Sequence, residues 1–256
     1  MDLFFGITSP AILIFAFLIS ILGGLIKGVV GFAMPTVLVS GLGSFATAEV
    51  ALAGMIMPTL ITNGWQALRQ GPRAAIESLN KFRVFLLAGF VVMMLSAQLV
   101  PLVPGWLLLL VIGVLITLFI TLQIQGIRLR LPGHPGRRTQ VAIGGVTGFM
   151  GGISGIWGPP TVAMLTALDT EKKEQIRIQG VIYGLGSVTL VAAHWGSGVL
   201  RAETLPLSLA LIPTAVLGMA IGFRIQDRID QSTFKKATLA VLLIGGLNLI
   251  RRGLAG

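Results

Sequence analysis

Long stretches without any charged residue constrain this chain more than any other feature of its sequence. Asp, Glu, Lys and Arg are absent from the runs 3–26, 28–48, 50–68, 84–127, 139–168, 178–200, 204–223 and 237–250. A helix crosses the hydrocarbon core of a bilayer in about 20 apolar residues, so most of these runs suit one crossing and the longest suits two. The strands of a membrane β-barrel would alternate polar and apolar residues, which these runs do not do. The sequence therefore predicts an all-α, polytopic membrane protein.

The composition narrows the class further. Hydrophobic residues make up 54% of the chain and charged residues 11%, unlike a soluble domain. The N-terminus lacks the basic start of a cleavable signal peptide. No cysteine is present, so disulfides and thiolate metal sites are excluded, and we expect no cofactor. The net charge of +10 is typical of basic cytoplasmic loops beside a lipid bilayer, and we expect no nucleic-acid partner.

Most of the basic residues lie in four short segments, 69–83, 128–138, 169–177 and 224–236. The positive-inside rule places all four in the cytoplasm. Only 139–168 separates the second segment from the third, and its length as a straight helix, about 45 Å, is too long for one crossing and too short for two. We therefore expect this stretch to enter the membrane and return, turning at the glycines and prolines of 151–160. A plain eight-helix topology is the alternative.

Each half of the chain contains a similar segment in which glycines and prolines would interrupt a membrane helix. These two breaks lie at 27–39 and 151–165. "KGVVGFAMPTVLV" (27–39) is similar to "GGISGIWGPPTVAML" (151–165). The matched pairs are Gly28 with Gly152, Gly31 with Gly155, Pro35 with Pro160, and Thr36 with Thr161. The segment after the first copy carries no basic residue and the segment after the second carries three, which is typical of an inverted-topology repeat.

This repeat predicts the organisation of the chain. We expect a first membrane repeat over 1–127, a basic cytoplasmic linker over 128–140 and a second membrane repeat over 141–256. Each repeat would comprise a Gly/Pro-broken membrane hairpin and three transmembrane helices, about 8–10 membrane segments in all.

The two breaks indicate an anion site. Backbone polar groups at membrane depth are tolerated only against protein or a polar cavity. Half-helices that begin near Pro35 and Pro160 would point their N-termini, with free N–H groups and a partial positive charge, at a negative solute. Glycines that serve only close helix packing are the alternative. Lys27 abuts the first break and would be either a counter-charge for the anion or a side chain that snorkels to the interface.

Further polar and aromatic residues lie in matching places or inside the breaks. They would donate hydrogen bonds to an oxyanion or line the site, and His194 could also carry a coupled proton. The alternatives are interfacial aromatic residues with polar neighbours and hydroxyls that bond to their own helices. These candidates are Asn63, Trp65, Gln66, Ser154, Trp157, His194 and Trp195, with the hydroxyls of Thr36 and Thr161.

The duplicated pattern, "GGLIKGVVGFAMPTVLV" and "GGVTGFMGGISGIWGPPTVAML", resembles the sulfite exporter TauE/SafE family over nearly the whole chain. This resemblance implies transport of sulfite, sulfonates or related anions across the bacterial inner (plasma) membrane. It extends to residues only at the matched glycine, proline and threonine positions; Lys27, Asn63 and His194 depend on the physical argument.

The sequence therefore predicts a secondary transporter, acting as an exporter, for a small sulfur-containing anion such as sulfite or an organosulfonate. It would work by alternating access around a midplane site, and a homodimer is left open. No GxxxxGK[ST] motif is present to bind ATP. The alternatives are a transporter of another small anion, a membrane scaffold or an intramembrane enzyme. An enzyme is disfavoured because an intramembrane reaction would need an acid/base pair at membrane depth, and every Asp and Glu lies outside the membrane-spanning runs.

Overall fold

The computed structural model describes residues 9–97, 104–125, 136–154, 158–196 and 198–255, and within these ranges every regular element is an α-helix. This confirms the all-α prediction. The helices are α1 (Pro10–Val30), α2 (Met34–Leu42), α3 (Ala48–Leu68), α4 (Pro72–Lys81), α5 (Arg83–Ala97), α6 (Gly105–Ile124), α7 (Arg137–Ser154), α8 (Gly158–Ala167), α9 (Lys172–Gly196), α10 (Leu205–Arg228) and α11 (Gln231–Leu254).

Four of the described helices, α1, α9, α10 and α11, are long and apolar enough to cross a membrane. The pair α4 and α5, bent by 67°, would add a fifth span. These spans confirm a membrane protein but are fewer than the expected segments. One reason is that α2 and α8, with 9 and 10 residues, are too short to cross. Another is that α3, although 21 residues long, carries several polar residues.

The helices form two compact units that do not follow the two halves of the sequence. Unit 1 comprises Met1–Ala75 and Ile176–Asp230, and unit 2 comprises Ile76–Gln175 and Gln231–Gly256. Each unit therefore takes helices from both predicted repeats. The repeat boundaries themselves stay a prediction.

Glycines bring α1 and α10 of unit 1 into backbone contact. A Cβ atom on Gly24 would lie 2.2 Å from the carbonyl oxygen of Ala215, and one on Gly28 would lie 2.5 Å from that of Met219. The later residue on α1 faces the later residue on α10, so the two helices run parallel. Small residues are what permit backbones to approach this closely in a membrane, where apolar surface alone does not drive helices together.

The chain reverses at the first break. A Cβ on Gly23 would meet the Met34 side chain at 3.1 Å, and one on Gly41 would meet that of Ile19 at 2.6 Å. Since Gly23 of α1 faces the start of α2, and the earlier residue Ile19 faces the end of α2, the short helix folds back along the long one. Gly31 permits the turn because its φ is +89°, a conformation that costs glycine little. The first break is therefore a helical hairpin, as expected.

The other helices of unit 1, α3 and α9, run in opposite directions. Asn63 Nδ2 donates to Tyr183 O at 3.0 Å, and Gln66 Nε2 donates to Ile176 O at 2.8 Å. The later residue on α3 thus faces the earlier residue on α9. This antiparallel pair lies against the broken end of α1.

Unit 2 contains a second glycine-packed parallel pair, α5 with α7. A Cβ on Gly144 would lie 2.5 Å from Phe85 O, and one on Gly148 would lie 2.1 Å from Gly89 O. The contact again advances in the same direction along both helices. α5 and α7 therefore pack in the same manner as α1 and α10 in unit 1.

The last helices of the two sequence halves, α6 and α11, also pack through glycines in unit 2. A Cβ on Gly113 would lie 2.7 Å from Ile250 N, and one on Gly253 would lie 2.7 Å from Leu110 N. The earlier residue on α6 faces the later residue on α11. These two helices are therefore antiparallel.

Both ends of the segment that holds the second break lie at the same end of unit 2. At its start, Arg137 and Gln140 line a cavity together with Lys81. At its far end, Glu174 forms an ion pair with Lys81, with 2.7 Å between Nζ and Oε1. The two ends of this segment therefore lie near one lysine, and the membrane hairpin between them stays a prediction.

Candidate anion-binding site

Lys27 lies in the last turn of α1 and is buried, with 1% of its surface exposed. Its Nζ donates to Thr62 Oγ1 at 2.9 Å and to Asn63 Oδ1. In the part of the chain that the structure describes, no carboxylate forms an ion pair with it. The side chain therefore does not snorkel to the surface, and neutral oxygens alone hold its ammonium group.

Both acceptors are held in place by further hydrogen bonds. Thr62 Oγ1 donates its hydrogen to Pro58 O at 2.6 Å. The hydroxyl oxygen can therefore only accept from Lys27 Nζ. Asn63 Nδ2 donates to Tyr183 O on α9, which directs Oδ1 toward Nζ. The two residues thus present only acceptors to Lys27.

The break itself places two left-handed residues between α1 and α2. Gly31 N donates to Lys27 O at 2.6 Å and ends α1. Ala33, with φ of +76°, precedes α2 and offers no side-chain cap. A left-handed conformation at a non-glycine residue costs about 1–2 kcal/mol, so the rest of the fold enforces it. The first N–H groups of a helix have no intrahelical partner and carry partial positive charge.

Two buried glutamines hold the broken end of α1. Gln66 Nε2 donates to Gly31 O at 2.9 Å and to Ile176 O at 2.8 Å. With its amide nitrogen facing the break, Gln179 donates to Val30 O at 3.2 Å and to Gly31 O at 3.0 Å. These donors satisfy carbonyl groups that a broken helix leaves open, which would otherwise cost several kcal/mol at membrane depth.

The start of α2 lies beside the buried lysine. The sulfur of Met34 is 3.8 Å from Thr62 Oγ1, which accepts the hydrogen bond from Lys27. The buried ammonium and the side chain of the first residue of α2 therefore contact the same hydroxyl group. The ammonium and the N-terminus of α2 both favour a negative solute, and neither favours a cation.

Other residues predicted for the site are exposed or contact other helices, and their part in anion binding stays a prediction. Trp65 is 36% exposed and packs edge-on against Phe223, with ring centroids 5.1 Å apart. Thr36 is exposed. Pro35 begins α2 as expected, and Gly28 packs against α10, which favours the helix-packing interpretation of that glycine.

His194 and Trp195 lie away from Lys27, Thr62 and Asn63. They lie in the last turn of α9, and Trp195 is 63% exposed. Helical rise places His194 about 16 Å along α9 from Tyr183, whose carbonyl meets Asn63. The predicted part of these two residues in binding is therefore not supported by proximity to Lys27.

The second break is described only in part, and the role of its residues stays a prediction. Thr161 is buried. Gly155 and Trp157 lie outside the described residues. The described helices contain Gly152 and Ser154 at the end of α7, and Pro160 and Thr161 at the start of α8.

Sequence reasoning missed two residues: Thr62, which with Lys27 and Asn63 forms the Lys27 cluster, and Gln179, which holds the end of α1. Both are polar residues inside uncharged runs, which is itself a sign of a functional or structural polar contact in a membrane protein. Thr62 adjoins the predicted Asn63. Gln179 had no such neighbour, and only the fold of α9 against α3 brings it to the break.

Comparison with known proteins identifies a family. The family model described as Sulfite exporter TauE/SafE matches residues 16–249. No curated protein and no solved structure matches the chain.

Proposed function

The chain belongs to the sulfite exporter TauE/SafE family, and on that premise we propose that it is a secondary transporter that exports a small sulfur-containing anion, such as sulfite or an organosulfonate. The family is one of membrane transporters rather than enzymes. We place the protein in the bacterial inner membrane, where such an exporter would act.

The observation that carries the proposal is the buried ammonium of Lys27. An ammonium group in hydrocarbon is costly, by about 3 kcal/mol on insertion scales, and two neutral oxygens recover only part of that cost. A bound anion recovers more, because Coulomb attraction at contact distance is strong away from water. Sulfite and sulfonate each offer several oxygens, so one anion can accept from Nζ and from backbone N–H groups at the start of α2.

Alternating access would come from two inverted repeats. Helix directions within the units support this assignment. In an inverted repeat the corresponding helices run in opposite directions. The corresponding helices α3 and α9 are antiparallel in unit 1, and α6 and α11 are antiparallel in unit 2.

The packing of helices from one half against helices from the other half supports the same assignment. The first helix of the first half, α1, packs parallel to α10 of the second half. The first helix of the second half, α7, packs parallel to α5 of the first half. α5 is the helix before the last in the first repeat, and α10 is the helix before the last in the second. The α1–α10 and α7–α5 contacts are therefore equivalent under the repeat.

Flux measurements in proteoliposomes test the proposal. Purified protein is reconstituted into vesicles loaded with radiolabelled sulfite, an organosulfonate such as sulfoacetate, or phosphate, and efflux is followed with and without proton and sodium gradients. We expect saturable flux of a sulfur-containing anion, competed by its unlabelled form. Saturable flux of phosphate alone would move the proposal to another small anion, and no saturable flux of any small anion would overturn it.

A further inference from the structure

Unit 2 contains a second basic site, separate from the Lys27 cluster. An open cavity of about 600 Å³ lies between the α4–α5 bend and the start of α7. Its cationic walls are Lys81, Arg83 and Arg137. Val84 and Leu87 form an apolar wall beside them.

The cavity carries an excess of positive charge. Lys81 is paired with Glu174 at 2.7 Å. Arg83 and Arg137 form no ion pair with any carboxylate in the described ranges, and both are exposed. Two arginines facing one cavity provide the planar donors that suit a phosphate group.

The helix that precedes the cavity has the character of an interfacial helix. Arg73, Glu77 and Lys81 recur every four residues and share one face of α4. Ile76 and Leu79 lie off that face and are 58% and 38% exposed. A short helix with one charged face and exposed apolar residues is typical of the headgroup region of a bilayer.

The helix that follows the cavity turns away from α4 and exposes apolar residues. α5 is bent by 67° from α4. Leu87, Phe90, Val91 and Met94 on α5 are each more than half exposed, as expected of a lipid-facing surface. The cavity therefore lies where a headgroup-level helix meets a lipid-facing helix, and its apolar wall at Leu87 continues into that surface.

We propose that this cavity binds an anionic phospholipid, with the headgroup phosphate between Arg83 and Arg137 and an acyl chain along Leu87 and α5. A free phosphate or the transported anion would use the arginines but not the apolar wall. Each basic residue near an anionic membrane contributes about 1 kcal/mol, equivalent to about a five-fold change in affinity. Removing both arginines should therefore weaken binding of the lipid about 30-fold.

Lipid titration of the full-length protein tests the site. Delipidated protein in detergent is titrated with phosphatidylglycerol, phosphatidylcholine or inorganic phosphate. The readouts are bound lipid by native mass spectrometry and the shift in Tm. We expect phosphatidylglycerol to bind and raise Tm more than phosphatidylcholine does, with inorganic phosphate having no effect.

The variants separate this site from general surface charge. Arg83→Gln with Arg137→Gln should lose the preference for phosphatidylglycerol, whereas Arg252→Gln, the loss of an exposed arginine on α11, should keep it. Leu87→Gln, which leaves the charge unchanged, should weaken phosphatidylglycerol binding and tests the apolar wall if the double variant does not fold. Equal phosphatidylglycerol binding by the Arg252 variant and the arginine or leucine variants would overturn the proposal, as would an equal effect of inorganic phosphate.

Discussion

Replacing Lys27 with methionine tests the proposed anion site most directly. Methionine keeps the length and most of the volume of the side chain but removes the ammonium group, which is buried and lies against Thr62 and Asn63. We expect the Lys27→Met protein to fold normally and to bind the anion far more weakly.

The two expected magnitudes follow from the contacts. An anion about 4 Å from Nζ gains about 4 kcal/mol at an effective dielectric constant of about 20, so its loss should weaken binding about 10³-fold. For folding, the variant avoids about 3 kcal/mol for a buried charge. It also leaves Asn63 Oδ1 without its donor, at a cost of about 1–3 kcal/mol. Because these terms oppose each other, Tm should move by only a few degrees.

Anion binding and stability are measured on the same samples. Isothermal titration with sulfite gives Kd, and thermal unfolding without ligand gives Tm. Lys236→Met, which removes an exposed lysine on α11, is the matched control and should leave Kd unchanged. A Lys27→Met protein that binds sulfite with the Kd of the unmodified chain would refute the assignment of this lysine to the site.

Four other substitutions test the packing and polar contacts, each by thermal unfolding in detergent. Gly28→Ala should lower stability by about 1–3 kcal/mol because its Cβ would overlap the backbone of α10. Gly184→Ala, at a helical glycine facing open space, should instead raise it by about 0.5–1 kcal/mol, and equal effects of the two would contradict the glycine contact. Gln66→Leu should lower stability by about 1–3 kcal/mol because Ile176 O loses this donor and Gly31 O keeps only Gln179, and an unchanged Tm would refute that role. Glu49→Gln removes only an exposed ion pair with Arg201 and should leave Tm nearly unchanged, whereas a large fall would show that the pair is structural.

The sequence was sufficient to predict the helical membrane class and the reversal at the first break. Both are local consequences of composition. Uncharged runs require helices in lipid, and Gly31 with Pro35 both ends one helix and begins another. The conformation of Ala33 was not predictable, because alanine has no local preference for a positive φ.

The pairing of helices could not be read from the sequence. Gly24 and Gly28 show that α1 has a close neighbour, but any helix with small residues could have filled that place. The same applies to Lys27, for which local sequence left burial and snorkelling open. Its partner Asn63 was identified as a candidate, but their contact depends on how α1 packs against α3.

Non-sequential packing also determines when the native structure can be completed during synthesis. The ribosome delivers α1 first, and α10, which covers its glycine face, is the last helix but one. The lysine near the end of α1 therefore enters the bilayer before α9 has emerged to orient its asparagine partner. A chain that stalls before α10 therefore leaves the glycine face of α1 exposed to lipid, where cellular quality control can detect an incompletely packed protein.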